Sequence, residues 1–454
     1  MLYSKSPFDV MRLSTKSTIY FLIGLSCLLH FYCSPKTSSA YVREKLDDEE
    51  LIDLVQRQTF RYFWDFSHPV SGLSRERSNK TDYGPEVIAI GGTGFGIMSM
   101  IVATNRNWIS RDTAVGHILK MLSFLQKSDS YHGIFPHWIN GETGKVVPFS
   151  KFDDGADLVE TSYLFQGLLC ARQYFNLENT RETELRKRIN TLWKTANWNW
   201  HTRGTKDSLY WHWSPQFGWK MNLPIKGYNE CLITYILAVS SPSYPIDTAL
   251  YHQCWTKSPF FKNEKTFYSY QLPLGFDYGG PLFFAHYSFL GLDPRGLKDR
   301  YADYWKQNQH HSLINYRYCL DNPKRYPLYG PNCWGLSSSD TRKGYAAHSP
   351  TNDLGVISPT AALSSFPYTP KESLAALRFF YDKLGDQLWS PYGFKDAFST
   401  TFDWVADSHL AIDQGPIIIM MENYRSGLLW KLFMSCPEIQ VGLSKLGFTS
   451  DPSQ

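Results

Sequence analysis

Two kinds of helical segment alternate along this chain, and the alternation limits what it can fold into. Segments 47–66, 111–126, 180–198 and 297–318 set charged residues against an apolar stripe, whereas 231–239, 282–290 and 417–421 are apolar nearly throughout. A helix of the first kind covers a core with one face, and one of the second kind must be enclosed by its neighbours. No alternation of strand and helix patterns suggests a parallel sheet. Outer amphipathic helices paired with inner apolar ones give layered packing closed into a ring. The expectation is an all-α chain of about a dozen helices, an (α/α)6 barrel with long aromatic-rich loops at one end.

The loops carry a second regularity, because each delivers acids to the start of an apolar helix. The loop Tyr131-His132-Gly133-Ile134-Phe135-Pro136-His137-Trp138 precedes Asp153, Asp157 and Glu160. Trp211-His212-Trp213 and Trp219 precede Gly227-Tyr228-Asn229-Glu230, and Asp277 stands before Gly279-Gly280-Pro281 and the segment holding His286. The loop 389–408 leads to Asp413-Gln414-Gly415-Pro416. A Gly-Pro pair before an apolar run predicts a helix start there, with Asp413 and Gln414 just outside it. Asp153, Asp157 and Glu160 are spaced four and three apart, which would place them on one helix face. A lone acid at a helix mouth is ordinarily a cap attracted to the dipole. Recurrence at several mouths favours a site, since capping alone would use Ser and Thr as readily. Gly91-Gly92-Thr93-Gly94-Phe95-Gly96 opens another helix. No Lys-Ser or Lys-Thr follows it, so close helix–helix approach explains these glycines better than phosphate binding does.

Cleaving a glycosidic bond needs one carboxyl to protonate the leaving oxygen and a second to activate water or attack. Aromatic residues make up 16% of the chain, with 15 Trp and 29 Tyr. Such rings offer flat faces to sugar C–H groups, while Arg, Asn, Gln and His fix hydroxyls. A formal charge of +4 over 454 residues gives no case for nucleic acid. There is no Cys-x-x-Cys, and His310-His311 are adjacent, a poor spacing for two zinc ligands. No serine nucleophile elbow competes.

The first residues read as an export signal: Arg12 and Lys16, then an apolar stretch 18–32, then Ser34 and Pro35. The expected division is a signal peptide over 1–33, a polar tether over 34–46 and one catalytic domain over 47–449. Cys33 is the expected lipidation site, with Cys27 as its rival. That layout implies the periplasm or cell surface of a Gram-negative bacterium, membrane contact through a lipid anchor alone, and a monomer. Cys170 and Cys231 lie in apolar helical patterns as small buried hydrophobes. Cys319 and Cys333 flank a loop and could pair in an oxidising compartment.

Five motifs together resemble the glycoamylase-like domain. They are Phe152-Asp153-Asp154-Gly155-Ala156-Asp157-Leu158-Val159-Glu160-Thr161, Gly227-Tyr228-Asn229-Glu230, Tyr345-Ala346-Ala347-His348-Ser349-Pro350, Gly355-Val356-Ile357-Ser358-Pro359-Thr360-Ala361-Ala362 and Ala411-Ile412-Asp413-Gln414-Gly415-Pro416. Within that group the chain is similar to bacterial β-1,2-glucanases of glycoside hydrolase family 144, over roughly residues 46–448. The resemblance implies an (α/α)6 barrel, no cofactor or metal requirement, and inverting hydrolysis of β-1,2-glucan to sophorose or short oligosaccharides. It marks Asp157, Glu160, Glu230 and Asp413 as the acids of the cleft. Glu230 is expected to be the general acid and Asp413 the general base, with Asp157 and Glu160 in support. Candidate sugar contacts are Asp153, Trp138, His137, Trp213, Trp219, Tyr228, Asn229, His286, Trp334, His348, Gln414 and Arg425. The alternatives are a non-catalytic surface glycan-binding lipoprotein, or a glucan transglycosylase or β-glucosidase of the same fold.

Overall fold

Asp47 starts the first helix by the reciprocal arrangement its sequence encodes. Its side chain accepts from the Glu50 amide while Glu50 accepts from the Asp47 amide, both at 2.9 Å. Such a cap contributes about 1 kcal/mol. In the computed structural model, which describes residues 45–450, α1 then runs over Asp48–Trp64. It is followed by α2 (Ile90–Asn105), α3 (Arg111–Leu125), α4 (Leu158–Tyr174), α5 (Thr180–Thr195) and α6 (Leu232–Ser240). The second half carries α7 (Tyr304–Asp321), α8 (Pro359–Leu363), α9 (Pro370–Asp382), α10 (Gly385–Leu388), α11 (Ala411–Ser426), α12 (Leu428–Met434) and α13 (Pro437–Lys445). The expected leader, most of its tether, and Cys27 and Cys33 lie outside the described residues.

The division holds for two of the three apolar segments: Leu232–Ser240 of α6 and Ile417–Met421 of α11 are buried throughout. In α2 every residue from Ile90 to Thr104 is buried, and α4 is buried from Leu158 to Arg172. By contrast, α5 buries only Glu182, Leu185, Ile189, Leu192 and Trp193. The glycines of α2 serve the close approach expected of them. A Cβ on Gly94 would stand 2.1 Å from the Tyr163 carbonyl oxygen, and one on Gly167 would stand 2.2 Å from the Gly94 oxygen. On its other side α2 meets α11, where a Cβ on Gly92 would be 2.6 Å from that of Ala411. The first turns of α4 and α11 are therefore both held against the first turn of α2.

Four expectations need correction. The described residues are 46% helical, and strands accompany the helices of the expected all-α fold. Short antiparallel ribbons join the helices, including Val87–Ala89 with Trp138–Asn140 and Ser338–Thr341 with Gly344–Ala347. Residues 282–290 form 3-10 turns, Leu282–Ala285 and Tyr287–Phe289, because five aromatic rings in nine positions lose side-chain freedom in a helix. Residues 297–303 are not helical: Leu297–Lys298 pairs with Thr449–Ser450, and Asp303 caps α7 at the Lys306 amide. Finally, α11 begins at Ala411, so Asp413 lies in its first turn and Pro416 inside it. Cys319 and Cys333 are both buried free thiols.

Candidate active site

Asp157 occupies the N-cap of α4. Its Oδ1 accepts from the amides of Val159 and Glu160, each at 2.9 Å, and from the Trp211 indole at 3.0 Å. That leaves Oδ2 to face His137 Nδ1 at 3.0 Å and His212 Nε2 at 3.3 Å. Asp153 also turns its Oδ2 to these rings, at 3.5 and 3.2 Å. So Asp153, Asp157 and Glu160 do converge, but not along one helix face. Asp153 comes from the preceding loop, Asp157 from the cap and Glu160 from the first turn.

Charge sorts these groups. Burial works against an ionised Asp157, yet the two imidazoles outweigh it and hold its carboxyl far below the usual range. Burial likewise opposes the His212 cation, which Asp157 and Asp153 nevertheless push up to about 9. Glu160 is raised to about 7, by burial first and then by the neighbouring acids, against the pull of His137. Its Oε2 is committed to the Gly91 amide at 2.9 Å. A Cβ at Gly91 would stand 2.5 Å from that oxygen, so the glycine makes room for the acid.

Glu230 lies two residues before α6, where Asn229 accepts from the Cys231 amide at 3.0 Å. The residue is half-buried, but its Oε2 is sealed from solvent and has no hydrogen-bond partner. Burial, reinforced by the charge of Glu160, raises it to about 7. Asp413 is 1% exposed. Its Oδ1 accepts from the Tyr287 hydroxyl at 3.4 Å, and its carbonyl accepts from Thr360 Oγ1 at 2.7 Å. Burial, then the hydrogen-bonded carboxyl of Asp396, raise Asp413 well above the carboxylate range. Asp396 itself is lifted to about 7 by burial and Asp340. Two adjoining buried carboxyls oppose each other's ionisation, so both are pushed toward the protonated form. Behind it, Asp396 accepts from the Asp340 amide at 2.6 Å, and Asp340 pairs with Arg77 at 2.9 Å. Tyr163 feels the charge of Glu230, Tyr287 that of Asp413, and their rings meet at 5.6 Å. The two acids thus look onto a common tyrosine-lined floor.

The expected sugar contacts divide by position. Trp138 is half-buried beside His137, against Tyr83 at 4.8 Å, and the exposed Phe149 ring stacks on His137 at 4.1 Å. Trp213 and Trp219 gather around the exposed Trp200 at 6.3 and 6.4 Å. Other candidates turn out to be structural. Trp334 is wholly buried and donates to the Glu372 carbonyl, and Tyr228 is a core residue bonded to Asn308. His286 and His348 are buried against Ser365 and Ser339, and burial lowers both to about 3, keeping them neutral. Gln414 donates inside the protein to the Phe394 carbonyl. Arg425 sits in the last turn of α11, bonded to Gln56 and facing Asp53, about 18 Å along the helix from Asp413. His212, Asp396, Asp340 and Arg77 are the site residues sequence reasoning missed. His212 was visible between two tryptophans; nothing local marks the others.

With the geometry in place, comparison with known proteins identifies the family. The Glycoamylase family model, "Putative glucoamylase", matches residues 222–437. An exo-β-1,2-glucooligosaccharide sophorohydrolase (non-reducing end) of Parabacteroides distasonis is 45% identical over 423 residues, 88% of this chain. The chain spans 58% of that relative's length. The endo-β-1,2-glucanase of Chitinophaga pinensis, solved with sophorotriose and glucose, is 53% identical with a TM-score of 0.87, covering 89% of this chain and 99% of its own. The endo-β-1,2-glucanase of Talaromyces funiculosus is 10% identical with a TM-score of 0.64, over 88% of this chain and 91% of its own, a likeness of fold alone. At 53% identity over nearly all of a solved bacterial relative, the chain belongs to the glycoamylase-like family that contains the β-1,2-glucanases.

Proposed function

We propose that this protein hydrolyses β-1,2-glucan to sophorose or short oligosaccharides with inversion, on an (α/α)6 barrel. The observation that carries the reading is two acids raised by burial beside one tyrosine-lined floor, one standing alone and one adjoining a second carboxyl. Glu230 keeps a sealed, unpartnered Oε2 and is half protonated near pH 7, as a general acid must be. Glu160 has a similar range, but its Oε2 is taken by the Gly91 amide, so Glu230 is the better proton donor. With one proton lost from the pair, Asp413 and Asp396 act as a dyad that takes the proton from the attacking water. Asp157 stays ionised and, with Asp153, holds His137, whose partly exposed ring orients sugar hydroxyls. Trp138, Trp213 and Trp219 supply ring faces for the glucan.

The names of the relatives support the β-1,2 linkage, and the leader composition supports export with a lipid on Cys33 to the periplasm or cell surface, as a monomer. The test of the mechanism is Asp413→Asn. Turnover of β-1,2-glucan should vanish while circular dichroism and the unfolding midpoint stay near wild type. Wild-type turnover in that variant would remove Asp413 from the chemistry.

A further inference from the structure

We infer that His137, Asp153, Asp157 and His212 form a binding site for a divalent cation of the Zn²⁺ class at the edge of the cleft. One atom from each lies within 4.8 Å of all the others. Each of the two facing ring nitrogens lies 3.0 to 3.5 Å from both carboxylate oxygens. A ring nitrogen carries at most one proton, so hydrogen bonds serve two of these four contacts at best. A cation at the centre serves all four. Four atoms with these nitrogen–oxygen edges, and none more than 4.8 Å apart, surround a point roughly 2 Å from each, close to zinc–nitrogen and zinc–oxygen bond lengths.

The site is built rather than superficial. Asp153, Asp157 and His212 are 3%, 0% and 8% exposed, and Asp153 Oδ1 is buried without a partner. Its ligands are held by other bonds. Asp157 Oδ1 is pinned by two amides and the Trp211 indole, and Asp157 and His212 are register partners in a short antiparallel ribbon. The far nitrogen of His137 lies 3.9 Å from Glu160, on the side away from the two aspartates. Two imidazoles with two carboxylates suit zinc or copper better than magnesium or calcium, which prefer oxygen alone. His137, 22% exposed, leaves the entry. Sequence spacing could not reveal this set, because its members come from three separate segments. The absence of a zinc motif therefore did not mean the absence of a metal-ligand constellation.

A bound cation would occupy His137, the partly exposed member of the set, taking it away from sugar hydroxyls. Zn²⁺ should then suppress glucan hydrolysis reversibly. That consequence rests on the proposed hydrolase function; the binding itself does not.

The experiment is equilibrium dialysis of the chelator-treated full chain against ZnCl₂, with Mg²⁺ as competitor. One Zn²⁺ per chain is expected, undisplaced by Mg²⁺ and bound at least about tenfold more weakly by His212→Gln and by Asp153→Asn. No stoichiometric uptake, or unchanged uptake in both variants, would overturn the site. Should either variant misfold, anomalous scattering at the zinc edge from wild-type crystals decides. A peak among the four side chains supports the site, and a peak only elsewhere refutes it. Glucan turnover is read in parallel. Zn²⁺ inhibition reversed by chelator is expected, and binding without inhibition would refute the regulatory step. A chain inert toward β-1,2-glucan fails as a hydrolase, while the dialysis still reports on the site.

Discussion

Replacing Glu230 with Gln removes a proton while keeping the side chain's shape, and its effect can be sized from the site. An ordinary carboxyl at 4.5 is about 0.3% protonated at pH 7, whereas one held at about 7 is about half protonated. Burial thus keeps roughly a hundredfold more of the enzyme in the proton-donating form. Loss of a general acid costs about 10²- to 10⁴-fold in rate, or roughly 3 to 5 kcal/mol of barrier. The sign follows from the direction of the shift. The acid form is complete below pH 7 and is lost above it, so wild-type turnover should fall as pH rises through about 7. In Glu230→Gln that alkaline limb should be absent. The assay is release of reducing ends from linear β-1,2-glucan between pH 5 and 9, repeated with an aryl β-sophoroside. An aryl leaving group needs little protonation, so the variant's deficit there should shrink to within about tenfold. Equal deficits on both substrates, or a surviving alkaline limb, would refute Glu230 as the proton donor.

Three further outcomes follow from the same geometry. Asp396→Asn removes the neighbouring acid that helps raise Asp413, so Asp413 should ionise at lower pH. The acid limb of kcat should move down with it, and an unmoved limb would break the dyad. Gly94→Ala drives a methyl group into the Tyr163 backbone and should cost about 1 to 3 kcal/mol, seen as a lower denaturant midpoint; an unchanged midpoint would contradict the packing of α2 on α4. Arg425→Ala, at the far end of α11, should leave turnover near wild type and cost about 1 to 3 kcal/mol in stability, because it leaves the buried Gln56 Oε1 unpaired. A large rise in KM would return Arg425 to the cleft.

What could be read in the sequence was set by periodicity and by recurrence. The apolar segments 231–239 and 417–421 announced buried helices because a polar face was missing, and the structure encloses them in α6 and α11. The glycines of α2 were read as close contacts, and the structure sets Gly94 against the backbone of α4 and Gly91, Gly92 and Gly96 against side chains of their neighbours. The acids at the helix mouths were legible because they recurred. The partners that set their charge were not. Asp396 approaches Asp413 from the loop just upstream and Arg77 from a loop more than three hundred residues away, and no local pattern encodes either approach. Gly415-Pro416 misled because proline is common in a first helical turn, whereas here α11 has already begun five residues earlier. Trp334, His286 and His348 were chosen as sugar contacts for their chemistry, but burial makes them part of the core. Residue type says what a side chain can bind; only packing says whether anything can reach it.

The central claim is that Glu230 and the Asp413–Asp396 dyad invert a β-1,2-glucosidic bond. Its most direct measurement is proton NMR of the first products from linear β-1,2-glucan, run beside β-1,3- and β-1,4-glucans. The account predicts sophorose or short β-1,2-oligosaccharides from the β-1,2 polymer alone, with the new reducing end appearing first as the α anomer. A β anomer formed first, or no product from β-1,2-glucan, would contradict it.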